Sequence, residues 1–362
     1  MKRVLIAPIT VTPTKTLTPS HLKGLCWVDV MYRATSLTAE TTYRYSTTAY
    51  NTTAQTLGFW EYLDRTLGDI DYEGVSEHAL GEHYVRFQAE AQRVPFAALR
   101  PYLRAVEATG WVHPASARLL RLWAGYYRRL GLHDAGLTEV QPPPMGQEEM
   151  IGELTARDLC LDHRATGGPV YVDATRFGLP LRQILTRQGQ PNYVTSALRE
   201  LVPLAEQYDE IVLVHDRELT ADYGLLQRVL GALGGNAVRV TVDRVPIDGV
   251  VRSSRYGGWQ GHTVPALLDA CGDAEPDVLR LGMRLYFIAV LGKGQSESHR
   301  TDLLLHSLSR ARRVLSASPG STPDLTRFCG DAVHVDPYRL TSALLKRHGE
   351  RPGRDIVEQV YC

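Results

Sequence analysis

Val4-Leu-Ile-Ala-Pro-Ile9, followed by Thr10-Val-Thr12-Pro-Thr-Lys15-Thr-Leu-Thr18-Pro-Ser20-His21-Leu-Lys23-Gly24, is the stretch that decides the fold. It begins as a short apolar run, a strand pattern. It crosses a Thr/Pro-rich loop, residues 10–20. From His21 onward Leu22, Leu25, Cys26, Val28, Val30 and Met31 recur with helical spacing. Strand, polar loop and helix in that order open an α/β nucleotide-binding unit. Ligands of such folds bind beyond the carboxyl ends of the strands, so this loop is the first place to look for a site.

Reading outward, residues 41–46 can form a second strand. Residues 98–102, 103–108 and 115–130 read as helices, and no strand pattern appears between residues 60 and 150. The run Pro142-Pro143-Pro144 closes that section. Strand patterns return at 169–172, 183–185, 211–214 and 237–242, with helical patterns at 197–207 and 223–233. The alternation predicts a parallel sheet wound with helices and interrupted by a helical insertion. From about residue 263 the pattern is helical to the end. The expected fold class is α/β, a Rossmann-like (HUP-type) parallel sheet with a helical insertion and a helical C-terminal section. Its segments are the first half of the Rossmann domain at 1–60, the insertion at 61–165, the second half at 166–262 and the helical section at 263–362. No internal repeat is visible.

Composition narrows the classes of function. The chain has 362 residues, 44% hydrophobic and 22% charged, which fits a globular protein and excludes collagen-like or low-complexity architecture. Forty basic residues balance forty acidic ones, so no whole-surface field recruits DNA or an anionic membrane. No run approaches the ~20 apolar residues of a membrane span. The opening residues lack the apolar length of a secretion signal, and the five scattered cysteines include no Cys-x-x-Cys pair. Both point to the reducing cytoplasm and away from thiolate metal sites.

The loop at 10–24 carries hydroxyls, His21 and two of the chain's five lysines, Lys15 and Lys23. A helix start with free backbone N–H groups attracts phosphate. The dinucleotide Gly-x-Gly-x-x-Gly pattern and the Gly-x-x-x-x-Gly-Lys phosphate loop are both missing. Glu77, His78, Glu82 and His83 do not match His-Glu-x-x-His and read as a solvated helix face; no metal site is expected from them. The arginines at 300, 310, 312 and 313, and the later cluster of Arg339, Lys346, Arg347, Arg351 and Arg354, also read as a solvated face.

At Lys15-Thr-Leu-Thr18-Pro-Ser20-His21-Leu-Lys23 the chain resembles the first signature of class I aminoacyl-tRNA synthetases, His-x-Gly-His, in its arginyl form with an upstream lysine. Thr18 takes the place of the first histidine, Ser20 that of the glycine, and His21 keeps the second histidine. Gly168-Pro-Val-Tyr-Val-Asp173, Leu185-Thr-Arg-Gln-Gly189 and Tyr193-Val-Thr195 are similar to the strands before the family's Tyr-x-Thr-Arg-Asp element. Tyr208-Asp-Glu-Ile-Val-Leu-Val214 resembles the strand that reaches the ATP ribose and adenine. Val245-Pro-Ile-Asp-Gly-Val-Val-Arg252-Ser253-Ser254-Arg255-Tyr256-Gly257-Gly258 resembles the second signature loop. Asp277-Val-Leu-Arg-Leu follows in family order, and the resemblance spans roughly residues 3–315.

That resemblance implies amino-acid activation with ATP and Mg2+. It assigns catalysis to Lys15, Thr18, His21 and Arg255. It assigns ATP contacts to Thr18, Ser20, His21, Lys23, His215, Asp216, Arg252, Ser253, Ser254 and Arg255. It assigns the amino-acid pocket to Thr10, Thr12, Tyr50, Asn51, Gln55 and Tyr193, with no metal held by the protein alone. The second loop has no lysine, and Lys15 is expected to supply the missing charge toward the pyrophosphate. The family's Arg-Asp pair after Tyr-x-Thr is here Ser196-Ala197, so arginine lacks a carboxylate partner at that position. Segments resembling the family's tRNA-elbow and full anticodon-binding modules are not seen. The expected reaction is therefore transfer of the activated acyl group to a small amine, independent of tRNA. The rivals are a shortened synthetase that acylates tRNA, an inactive synthetase-like binding protein, and a nucleotidyltransferase of the same superfamily. The sequence is silent on oligomeric state.

Overall fold

The computed structural model describes residues 1–7, 10–44, 50–251, 257–259, 261–317, 324–346 and 351–362. Four strands form one parallel sheet in the order β2-β1-β6-β7, where β1 is Arg3–Ala7, β2 Glu40–Tyr43, β6 Glu210–His215 and β7 Ala237–Thr241. Leu5 faces Thr42 on one side and Ile211 on the other, and Val212 faces Val238. All six residues of β6 are buried, as a central parallel strand covered on both faces requires.

Side chains of a strand point alternately to its two faces, and here each face has its own core. Val4, Ile6, Val212 and Val214 join one apolar cluster with helix α1 (Pro19–Ser36), the helices that follow it and the C-terminal helices. Leu5, Ile211 and Leu213 join a second cluster on the other face.

After β2 come α2 (Ala54–Leu67), α3 (Glu77–Ala89), α4 (Phe96–Thr109) and α5 (Pro114–Leu130). The two helices expected at 98–108 are one, with Pro101 inside it. The second core gathers α6 (Gln147–Ala156), α7 (Tyr193–Leu201) and α8 (Thr220–Ala232) around a second sheet.

That second sheet corrects the sequence expectation. The strands expected at 169–172 and 183–185 do not join the parallel sheet. They are β4 (Val170–Val172) and β5 (Arg182–Leu185), antiparallel to each other and paired with an unexpected β3 (Cys160–Asp162). The reason is the connections, 163–169 and 173–181, which are too short for the crossover a parallel pair needs. The helix expected at 197–207 starts earlier, after Asn192, whose side chain accepts from the Thr195 N–H. It tightens at Val202–Leu204, where Pro203 cannot continue it.

The C-terminal section holds α9 (Val264–Ala270), α10 (Pro276–Arg284) running into a π-helical turn Leu285–Val290, then α11 (Thr301–Ser316), α12 (Pro337–Leu344) and α13 (Arg354–Tyr361). Fully buried Arg284 fastens this section to α1. Its Nε and Nη2 donate to Asp29 Oδ2 at 2.9 and 2.5 Å, and it also donates to the carbonyls of Leu130 and Gly131. Among the described residues no helix is long and apolar enough to cross a membrane.

Candidate functional site

A cavity of about 690 Å³ opens where β1 and β6 end and α1 begins. Its floor is the loop between β1 and α1, and the helical insertion sets that loop's shape. Ser116 of α5 donates its hydroxyl to the Pro13 carbonyl at 2.8 Å and accepts the Trp60 indole N–H at 2.8 Å. Glu77, at the start of α3, accepts the Leu17 N–H at 2.9 Å, the Trp123 indole N–H at 3.1 Å and the Tyr126 hydroxyl at 2.7 Å. The Leu17 carbonyl accepts the Val264 N–H at 3.0 Å. Glu77 is 5% exposed, which corrects its reading as part of a solvated face. Desolvation raises its pKa, and the bonds from Tyr126, Leu17 and Trp123 oppose the rise. His78 is exposed and Glu82 half-buried, with a 3.4 Å contact between them.

Pro19 opens α1 at a position where a missing N–H costs nothing. The Thr18 N–H donates to His21 Nδ1 at 3.0 Å, and the Thr18 hydroxyl lies 3.1 Å from the same nitrogen. An Nδ1 that accepts carries no proton, so the imidazole is the Nε2–H tautomer. Desolvation, then the charges of Lys15 and Arg244, push the His21 pKa down to about 3. His21 is therefore a neutral donor lining the cavity, and among the described residues its Nε2 has no partner. Lys15 also lines the cavity, its ammonium 5.2 Å from the centroid of the Tyr84 ring.

Past β6 and β7 the wall is built from paired charges. Arg244 Nε donates to Asp216 Oδ2 at 2.8 Å, and its Nη2 lies 2.8 Å from Glu218 Oε2. Among the described residues, Asp216 Oδ1 is buried without a hydrogen-bond partner, as is Asn51 Oδ1. The wall from β5 and α7 presents Arg182, Gln183, Gln190, Asn192 and Tyr193. Arg182 Nε lies 2.7 Å from Asp222 Oδ1, and its Nη2 donates to Oδ2 at 3.1 Å. The Tyr193 hydroxyl donates to that same Oδ2.

Of the residues read from the sequence, Thr10, Thr12, Lys15, Thr18, Ser20, His21, Asn51, Gln55, Tyr193 and Asp216 line this one cavity. Three do not. Lys23, on α1, is fully buried, its ammonium 2.8 Å from the Gly294 carbonyl and 3.4 Å from that of Lys293. Burial lowers its pKa to about 8 against the pull of Asp243. Tyr50 is buried with its hydroxyl accepting the Gln141 N–H at 3.2 Å. His215 stacks on Tyr223 and places Nδ1 2.8 Å from the Asp216 carbonyl. Ser20 lines the cavity, but its hydroxyl accepts the Val245 N–H at 3.0 Å and so ties α1 to the segment after β7. Arg252, Ser253, Ser254 and Arg255 lie outside the described residues.

Sequence reading missed Glu77, Ser116, Arg182, Asp222 and Arg244. Arg244 was reachable, because it follows the last parallel strand on the side where ligands bind. The others come from elements whose approach to the loop no local pattern encodes. Among the described residues no group of three His, Cys, Asp or Glu is placed to hold a metal ion.

An α/β Rossmann-like domain with a helical insertion and a cavity at the ends of β1 and β6 is what these elements define. The fold is similar to that of Thermus thermophilus arginyl-tRNA synthetase, with a TM-score of 0.60 and 16% identity over 95% of this chain and 69% of that one. A Campylobacter jejuni protein assigned as an arginyl-tRNA synthetase aligns with a TM-score of 0.48 and 13% identity, over 78% of this chain and 63% of that one. No protein-family model matches the chain, and neither does any curated protein.

Proposed function

We propose that this chain activates an amino acid with ATP as the aminoacyl adenylate and passes the acyl group to a small amine, forming an amide. The observation that carries the reading is His21. It is held neutral, with Nε2–H directed by its tautomer, at the start of α1, beside Lys15 and within reach of the field of Arg244. Donors and cations of this kind suit a polyphosphate.

In the first step a carboxylate oxygen of the acid attacks the α-phosphorus. The new P–O bond forms as the bond to the bridging oxygen of the β-phosphate breaks, and pyrophosphate leaves. Charge gathers on the phosphoryl oxygens, so catalysis is positioning and charge stabilisation and needs no nucleophile from the protein. His21 Nε2–H donates to an α-phosphate oxygen without giving up its proton. Lys15 stabilises the departing pyrophosphate. Asn51 Oδ1, buried without a hydrogen-bond partner among the described residues, accepts from the amino group of the acid. In the second step the amine nitrogen attacks the acyl carbon, AMP leaves and the nitrogen loses a proton. The described residues offer no carboxylate cluster for Mg2+, so the ion would enter on the triphosphate itself.

Amino-acid-dependent ATP–pyrophosphate exchange across a panel of acids tests the first step. Exchange with one acid, lost in Lys15→Ala, is the expected result. Exchange that is absent for every acid, or unchanged in Lys15→Ala, contradicts it. AMP release stimulated by a small amine and insensitive to ribonuclease is expected for the second step. Ribonuclease-sensitive transfer that falls steeply with salt would make tRNA the acceptor instead.

A further inference from the structure

The wall of the cavity formed by β5 and α7 has a charge arrangement that the activation chemistry does not use. Arg182 is the first residue of β5, its side chain 41% exposed toward the cavity. Asp222 of α8 stands behind it: its Oδ1 lies 2.7 Å from Arg182 Nε as an ion-pair contact, and its Oδ2 accepts from Arg182 Nη2 and the Tyr193 hydroxyl. Desolvation raises the Asp222 pKa, and Arg182 opposes the rise, so the carboxylate depends on its guanidinium partner. A guanidinium has five N–H donors. One on Nη2 is donated to Asp222, and among the described residues those on Nη1 have no hydrogen-bond partner.

Among the described residues, the charged ones lining the cavity are three cations, Lys15, Arg182 and Arg244, and one carboxylate, Asp216. Asp216 is already bonded to Arg244. A cationic side chain entering here meets like charge and, among the described residues, no carboxylate free to receive it. Arg182 also comes from a different element than the α1 start where the phosphates are placed. Gln183 and Gln190 line the cavity beside it and offer further amide groups.

We propose that the acid taken by this site carries a second carboxylate and that Arg182 is the residue that selects it. The planar guanidinium, braced from behind by Asp222 and Tyr193, presents N–H groups whose spacing suits two parallel acceptor oxygens. A neutral amide offers one acceptor in place of two, and a cationic side chain offers none. The inference deepens the activation reading and rests on it only for the identity of the site.

The test is calorimetric titration of the full chain, without ATP, with L-aspartate, L-glutamate, L-glutamine and L-arginine. One dicarboxylic acid is expected to bind about tenfold or more tightly over glutamine and arginine, as a charge-assisted paired contact should allow. R182M, with a native circular dichroism spectrum, is expected to lose that preference. Should R182M not fold, R182K keeps the charge without the fork and is expected to reduce the preference. Tighter binding of arginine or of glutamine, a preference unchanged in R182M or R182K, or no binding of either dicarboxylic acid overturns the proposal. The activation reading fails separately: dicarboxylate binding without ATP–pyrophosphate exchange leaves Arg182 as the selector and removes the adenylate chemistry.

Discussion

His21 is where one residue's chemistry bears most on function. Its pKa of about 3 in the folded chain compares with the ordinary 6.5. Protons therefore bind the unfolded chain first. The stability His21 contributes is complete above pH 6.5 and is lost as pH falls from 6.5 toward 3. Between pH 7 and 5 the wild type should lose roughly 2 kcal/mol more than His21→Asn, read from urea unfolding at both values. The same neutrality predicts that exchange activity shows no limb near pH 6.5 from His21. Removing the donor in His21→Ala should lower exchange by about 10²–10³-fold, as for other donors aimed at developing charge. The position of His21, at a helix start after a hydroxyl-rich loop, was legible in the sequence. Its tautomer was not, because that depends on the Thr18 N–H turning inward.

The element that sets the site is the loop between β1 and α1, and its geometry comes from helices far away in sequence. Glu77 holds the Leu17 N–H, the Trp123 indole and the Tyr126 hydroxyl at once. Glu77→Ala leaves these donors buried without an acceptor and should cost about 3 kcal/mol or more. Glu77→Gln keeps one carbonyl oxygen and should cost less. Thermal unfolding together with the KM for ATP reads both effects, and an unchanged KM in Glu77→Ala would dissociate the loop from nucleotide binding. That β1, β6 and β7 run parallel followed from the alternation of strand and helix patterns; their order did not. The antiparallel β3–β5 unit was not seen, because the periodicity of a strand carries no direction; the short connections did carry that information. Lys23 was misread for a related reason. It lies two residues after His21, but helical rotation turns it away from the cavity to the carbonyls of Lys293 and Gly294.

On the scale of the molecule, one four-stranded sheet is shared by two apolar cores, and the C-terminal helices close one of them over α1. Arg284 and Asp29 are the joint: Asp29 also accepts the Arg33 Nε at 3.0 Å and the His133 N–H at 2.7 Å. Asp29→Ala leaves the fully buried Arg284 without its carboxylate and should destabilise the chain by about 3–5 kcal/mol. Differential scanning calorimetry should show the whole transition moving down, not a partial one, because α1 carries both this joint and the site. A loss confined to a minor early transition would separate the C-terminal section from the site. The central claim is that the cavity at the start of α1 holds the triphosphate of ATP. A crystal structure of the chain with ATP and Mg2+ tests it most directly. The α-phosphate is expected within hydrogen-bonding distance of His21 Nε2, with the outer phosphates toward Lys15. Nucleotide bound at another face, or in this cavity with its phosphates away from His21 and Lys15, would contradict the account.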